Sequence, residues 1–139
     1  MEGKTIKQIN VSDYAENKHM INSQIIEKYA ETVGDKNPVH LDDVFAAKTP
    51  FKKRIAHGML IAGYISEAIG MELPGPGCIY AKQELLFTKP VYIGDEITVR
   101  IEVVGKNEVK NRVELSTICY NQDEEIVIKG TAVVLPRRE

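Results

Sequence analysis

Cysteine is scarce in this chain. Cys78 and Cys119 are the only two in 139 residues, and no Cys-x-x-Cys spacing links them. They read as two reduced, buried small hydrophobes, in keeping with a cytoplasmic setting. A dominant sign of charge is also missing. Eighteen Lys and Arg stand against 20 Asp and Glu, for a formal net charge of −2. That balance offers no field for nucleic acid and no strong attraction to an anionic membrane. No apolar run approaches the length of a membrane span. Met1 to Asn10 mixes charged and polar residues without an apolar stretch, so it does not read as a signal peptide. No Gly-x-Ser-x-Gly elbow speaks for a serine hydrolase. Gly75-Pro76-Gly77 has no following Lys-Ser/Thr and reads as a turn, not a phosphate loop. Repeats, low-complexity tracts and flexible linkers are absent, and residues 1–139 fit the length of one domain.

What is present is a change of period along the chain. The first half reads as helical and the second as strands, an α+β pattern. Lys4 to Asp13 carries β-branched positions and reads as a first strand. Asn22 or Ser23 can cap a helix in which Ile25, Ile26, Tyr29, Ala30 and Val33 recur at helical spacing, with Gly34 as its stop. Asp42 can begin a short helix running through Ala47. Gly58 to Ile69 is apolar on almost every face, so it reads as a helix wrapped on most sides, with Gly70 its expected end.

From Cys78 onward the period drops to two. Ile97, Val99, Ile101 and Val103 alternate with polar residues. Val109, Val113, Leu115, Thr117 and Cys119 share one parity of the next run, as do Ile126, Ile128, Gly130, Ala132 and Val134 of the last. Turns are expected at Gly94-Asp95, Gly105-Lys106-Asn107 and Asn121-Gln122-Asp123. This pattern predicts an antiparallel meander with one buried face. A long buried helix needs a curved sheet around it, so the expected architecture is the hot-dog fold.

The chemistry concentrates in Gly34-Asp35-Lys36-Asn37-Pro38-Val39-His40. Gly34 can take φ > 0, and Pro38 pushes Asn37 out of the helical region. Asp35 and His40 are therefore expected on a short kinked loop beside the most hydrophobic helix. A carboxylate and an imidazole form a minimal acid/base pair. His40-x-Asp42-Asp43 lacks the further ligands that a zinc site wants, so no metal is expected. His57 reads as a structural histidine near a helix start, and His19 as solvent-facing. Lys52, Lys53, Arg54, Lys82 and Lys89 read as solvated charges.

Three separated blocks carry a family resemblance. Tyr29-Ala30 followed by Gly34-Asp35-x-Asn37-Pro38-x-His40-x-Asp42 resembles the signature of the R-specific enoyl-CoA hydratases, the MaoC-like hydratases. His57-Gly58-Met59-Leu60 resembles the start of their central helix. Phe87-x-Lys89-Pro90-Val91-x-x-Gly94-Asp95 resembles the strand and turn that follow. The resemblance implies a hot-dog fold, a homodimer or dimer of dimers, and a trans-2-enoyl-CoA substrate. It implies Asp35 and His40 as the catalytic dyad, Gly58 as the backbone donor to the thioester oxygen, and Ser66 as a polar residue supporting the dyad. No cofactor or metal is called for. Stereochemistry rests on the resemblance alone. Tyr64, Met71 and Leu73 are candidates for the boundary of an acyl tunnel. Other readings of the same fold are an acyl-CoA thioesterase, a dehydratase of acyl-carrier-protein thioesters, and an acyl-CoA-binding module without turnover.

Overall fold

The computed structural model describes all 139 residues. Helix α1 (Ser23–Val33) begins where the Asn22 side chain accepts the Ile25 N–H, and ends at Gly34 in the left-handed region, φ 84°. Two short helices follow, α2 (Pro38–Leu41) and α3 (Asp43–Ala47), the latter capped by Asp42. Helix α4 spans Gly58–Met71. Five strands form one antiparallel sheet: β1 (Tyr14–Met20), β2 (Ile79–Phe87), β3 (Glu96–Asn107), β4 (Arg112–Tyr120) and β5 (Ile126–Leu135), in the spatial order β1-β3-β4-β5-β2. Consecutive β3, β4 and β5 make the expected meander, and β1 and β2 are its edges. The α+β, hot-dog reading holds.

Register explains the core. Val99 pairs with Cys119 and Ile101 with Thr117. Leu115 pairs with Ala132, and Val113 with Val134. These residues share the inner face, and all are buried. Against them α4 sets Ile61, Ile65 and Ile69, each 1% exposed or less. Each such side chain contributes roughly 1.5–3 kcal/mol on burial. α4 is not wrapped all round, however. Met59, Gly63 and Ser66 form an exposed stripe along it.

Several expectations are corrected. The first strand does not lie at Lys4 to Asp13. That stretch makes one 3-10 turn (Ile6–Gln8), held by Gln8 accepting the Thr5 N–H, and the strand begins at Tyr14. Its inward positions, Ala15, Asn17 and His19, are small or polar and carry no hydrophobic alternation. His19 is accordingly not solvent-facing: its ring stacks on Tyr64 at 3.7 Å and its Nε2 lies 2.9 Å from Glu67. Gly70 does not stop α4, which continues to Met71 with Glu72 as its cap. Gly105-Lys106-Asn107 is not a turn. β3 runs through it with a register shift after Val103, and the chain reverses over 108–111, where Val109 is 96% exposed.

Candidate functional site

Asp35 follows Gly34 directly, where the left-handed glycine throws the chain off α1. Its Oδ1 accepts the Asn37 N–H at 3.2 Å. Asn37 then caps α2, accepting the Val39 N–H, and Pro38 occupies the first helical position, where its missing donor costs nothing. His40 therefore sits on a one-turn helix, not on the loop expected from sequence. Pro38 starts that helix instead of barring it.

The strip 54–57 fixes everything else. Ile55 N–H donates to Val39 O at 3.3 Å, and Ala56 N–H to Val91 O at 2.7 Å. Arg54 Nε donates to the His40 carbonyl at 2.7 Å. Its side chain is only 10% exposed, which corrects the reading of Arg54 as a solvated charge. His40 Nδ1 lies 2.8 Å from Ile55 O. A carbonyl only accepts, so Nδ1 carries the hydrogen and the neutral ring keeps a free lone pair at Nε2. Burial holds the His40 pKa below its ordinary value, and neighbouring His57 adds to this. The Ile55 carbonyl and Asp35 pull the other way without winning. The ring is thus set up as a neutral base.

Gly58 is the first residue of α4, and its N–H finds no acceptor in the protein. An unpaired first-turn donor with the positive end of a 14-residue helix behind it favours negative charge. His40 and Gly58 line one cavity of about 510 Å³, whose apolar wall includes Ile55, Met59, Phe87 and Val91. A Cβ built on Gly58 would come within 2.6 Å of the Phe87 ring, so the glycine lets that ring close over the start of the helix. Tyr64, Met71 and Leu73 do not border this cavity. Tyr64 faces His19, Met71 is 56% exposed and Leu73 is core.

One carboxylate oxygen of Asp35 and one ring nitrogen each of His40 and His57 lie within 4.8 Å of one another. Such a trio invites a metal reading, but the two imidazoles stack at 3.8 Å and 27°. Stacked rings send their in-plane lone pairs side by side, not toward one point, which fits a tetrahedral ion poorly. Of the residues singled out from sequence, His40 and Gly58 line the same cavity and Asp35 lies beside His40, while His57, read as structural, is buried at the start of α4 against Asp35 and His40. Ser66 is not brought to the dyad within this chain. It lies about 12 Å further along α4 by helical rise, in a separate groove with Tyr80, Lys82 and Gln83. Cys78 and Cys119 are both free thiols; Cys119 is buried, and Cys78 only partly so.

The fold and this site together define a hot-dog protein in which His40 and the Gly58 amide share one apolar cavity, with Asp35 close to the His40 ring. Comparison with known proteins agrees. The family described as MaoC like domain matches residues 4–124. A 3-hydroxybutyryl-CoA dehydratase of Methylorubrum extorquens is 45% identical over 123 residues, covering 88% of this chain and 78% of that protein. A mitochondrial 3-hydroxyacyl-[acyl-carrier-protein] dehydratase of Arabidopsis thaliana is 37% identical over 130 residues, covering 91% and 77%. Among solved structures, the unliganded R-hydratase PhaJ1 of Pseudomonas aeruginosa superposes with a TM-score of 0.93 at 43% identity, covering 99% of this chain and 88% of that one. The chain belongs to the MaoC-like family. It is a lyase of the hydratase and dehydratase class.

Proposed function

We propose that this chain hydrates trans-2-enoyl-CoA reversibly to (R)-3-hydroxyacyl-CoA. The observation that carries the reading is the unpaired Gly58 N–H in the same cavity as the free Nε2 of His40, with the Asp35 carboxylate beside it. The thioester carbonyl accepts from Gly58 N–H, which lowers the cost of charge that develops there when C3 is attacked. A water between Asp35 and His40 loses its proton to the dyad, and its oxygen bonds to C3. The same dyad returns a proton to C2, so the elements of water are added with none left over. Dehydration runs through the same atoms in reverse. No cofactor or metal enters this scheme. The R configuration draws its support from the likeness to PhaJ1.

The test is a hydration assay over a series of enoyl-CoA chain lengths with chiral analysis of the product. Asp35→Asn and His40→Ala should each lose at least about a hundredfold in kcat. Near-normal turnover by either would remove the dyad from the mechanism. The likeness to the Arabidopsis protein gives a second reading, with the acyl group carried on a carrier protein. A kcat/KM for crotonyl-carrier protein far above that for crotonyl-CoA would select it. Release of free thiol from acyl-CoA would instead point to a thioesterase.

A homodimer belongs to the same reading. The edge of β2 away from β5 has no partner strand, and Ile79, Leu86 and Phe87 on β2 are at least half exposed, as is Met59 on α4. An unpaired edge beside an apolar stripe invites a second copy. Light scattering showing a monodisperse monomer would refute the dimer. No helix is long and apolar enough to cross a membrane, and a cytoplasmic site of action is part of the proposal.

A further inference from the structure

His57 occupies the N-cap position of α4 yet makes no capping bond. Its side chain is turned toward the residues around the cavity instead. The residue is 3% exposed. Nε2 lies 2.9 Å from the backbone carbonyl of Asp35, so Nε2 carries a hydrogen and donates it. Nδ1 is buried and has no partner. With Nε2 the donor, Nδ1 is left as a buried lone pair that meets no donor.

The ring also has contacts on its faces and edges. The His40 imidazole stacks on it at 3.8 Å, and Tyr29 meets it edge-on at 4.8 Å. The titratable groups around it are therefore His40, Asp35 and Tyr29. Arg54 holds the His40 carbonyl from outside, with Glu27 at 3.9 Å from its guanidinium. Through the main chain His57 is joined to Gly58. One residue thus links the carrier of the carboxylate and the ring of the base, through its side chain, to the residue that presents the backbone donor, through its main chain. These three groups come from three different segments, and His57 is the residue that links them.

We propose that His57 is a positioning residue: an imidazole that donates from Nε2 and ties the Asp35 turn, the His40 ring and the Gly58 amide into one rigid constellation. The kinetic consequence rests on the hydratase reading above; the tautomer and the tie do not. Asp35 itself makes one other hydrogen bond, the local one from Asn37 N–H to its carboxylate, so losing the tie loosens the carboxylate from the base. Misplacement of a reacting group by about 1 Å can cost on the order of a hundredfold in rate.

Two variants separate the parts of the tie. His57→Phe keeps a flat ring against His40 and deletes the donor to Asp35. His57→Gln keeps an N–H of similar reach and deletes the ring. With crotonyl-CoA, His57→Phe is expected to lower kcat by about ten- to a hundredfold with KM nearly unchanged. His57→Gln should recover most of that loss. By uncovering His40, it should also move the acid limb of the kcat/KM profile to higher pH, and further than His57→Phe does. A merely structural residue would give equal losses in the two variants and an unmoved limb, and that result overturns the proposal, as do two variants with wild-type kcat. Nitrogen-15 spectra of the wild-type imidazoles test the tie without any variant. The neutral His57 ring should carry its hydrogen on Nε2, and the opposite tautomer overturns the tie. If the wild type does not hydrate crotonyl-CoA, the hydratase reading fails by itself, and the spectra still decide the fate of His57.

Discussion

Replacing Gly58 by proline isolates the backbone donor, because α4 can tolerate that change. Proline is at home in the first helical position, where its missing hydrogen is one the helix does not use. The preceding residue must be extended, and His57 already is, at φ −61° and ψ 130°. The new Cβ would fall within 2.6 Å of two atoms of the Phe87 ring. Phe87 is 50% exposed, so it can swing aside. It then forfeits about half of the roughly 1.5–3 kcal/mol that a buried aromatic contributes, or about 1 kcal/mol. Proline returns about 0.4–1 kcal/mol by restricting the unfolded chain. The two nearly cancel, and Tm should stay within about 4 °C of wild type. Activity should not stay. One oxyanion donor contributes about 2.7–4 kcal/mol to the transition state, a loss of about a hundred- to a thousandfold in kcat. Gly58→Ala is the control, since it introduces the same Cβ and keeps the N–H. Crotonyl-CoA hydration followed by loss of enoyl absorbance measures both. If Gly58→Pro turns over within threefold of Gly58→Ala, the amide is not the donor and the proposed site geometry is wrong.

Other predictions concern pH and packing. Burial depresses the His40 pKa below the ordinary histidine value of about 6.5. Below that value the unfolded chain binds a proton that the folded protein resists, so this contribution to stability is present above pH 6.5 and is lost as pH falls through the folded pKa. Urea unfolding should show stability decreasing as the pH drops below 6.5, with a shallower decrease in His40→Gln; an equal slope in both would refute the assignment to His40. Ile65 is fully buried on α4, so Ile65→Ala should cost about 2–5 kcal/mol in the same assay, and a cost under 1 kcal/mol would mean that the helix is not held as described. Burial pushes the Cys119 thiol up to about 12. It should resist alkylation at pH 8 until the protein unfolds, whereas fast labelling in the folded state would show that the inner face of β4 opens.

Much of this fold is legible because water decides it locally. β3 and β4 have one wet and one dry face, so their alternation is written in the chain. α1 is framed by its own cap and its own glycine. Asp35 and His40 were found because glycine, asparagine and proline restrict the backbone around them in ways any reader of the sequence can follow. β1 was misplaced for the converse reason. Its inward Asn17 and His19 are polar, and the Asn17 amide nitrogen donates to Glu67 and to the Tyr64 carbonyl about fifty residues away. Arg54 was misread in the same way, since its acceptor is the His40 carbonyl fourteen residues earlier.

The sequence by itself determined the class of fold, the meander, the buried helix and the loop that carries Asp35 and His40, since each follows from a local period or a local backbone restriction. Only the tertiary structure decided which nitrogen of His40 is free, that the Gly58 amide has no acceptor, and that His57 binds the Asp35 carbonyl while stacking on His40. Hydrogen-bond direction and ring stacking depend on the partner that folding delivers, and a partner remote in the chain leaves no periodic trace in it.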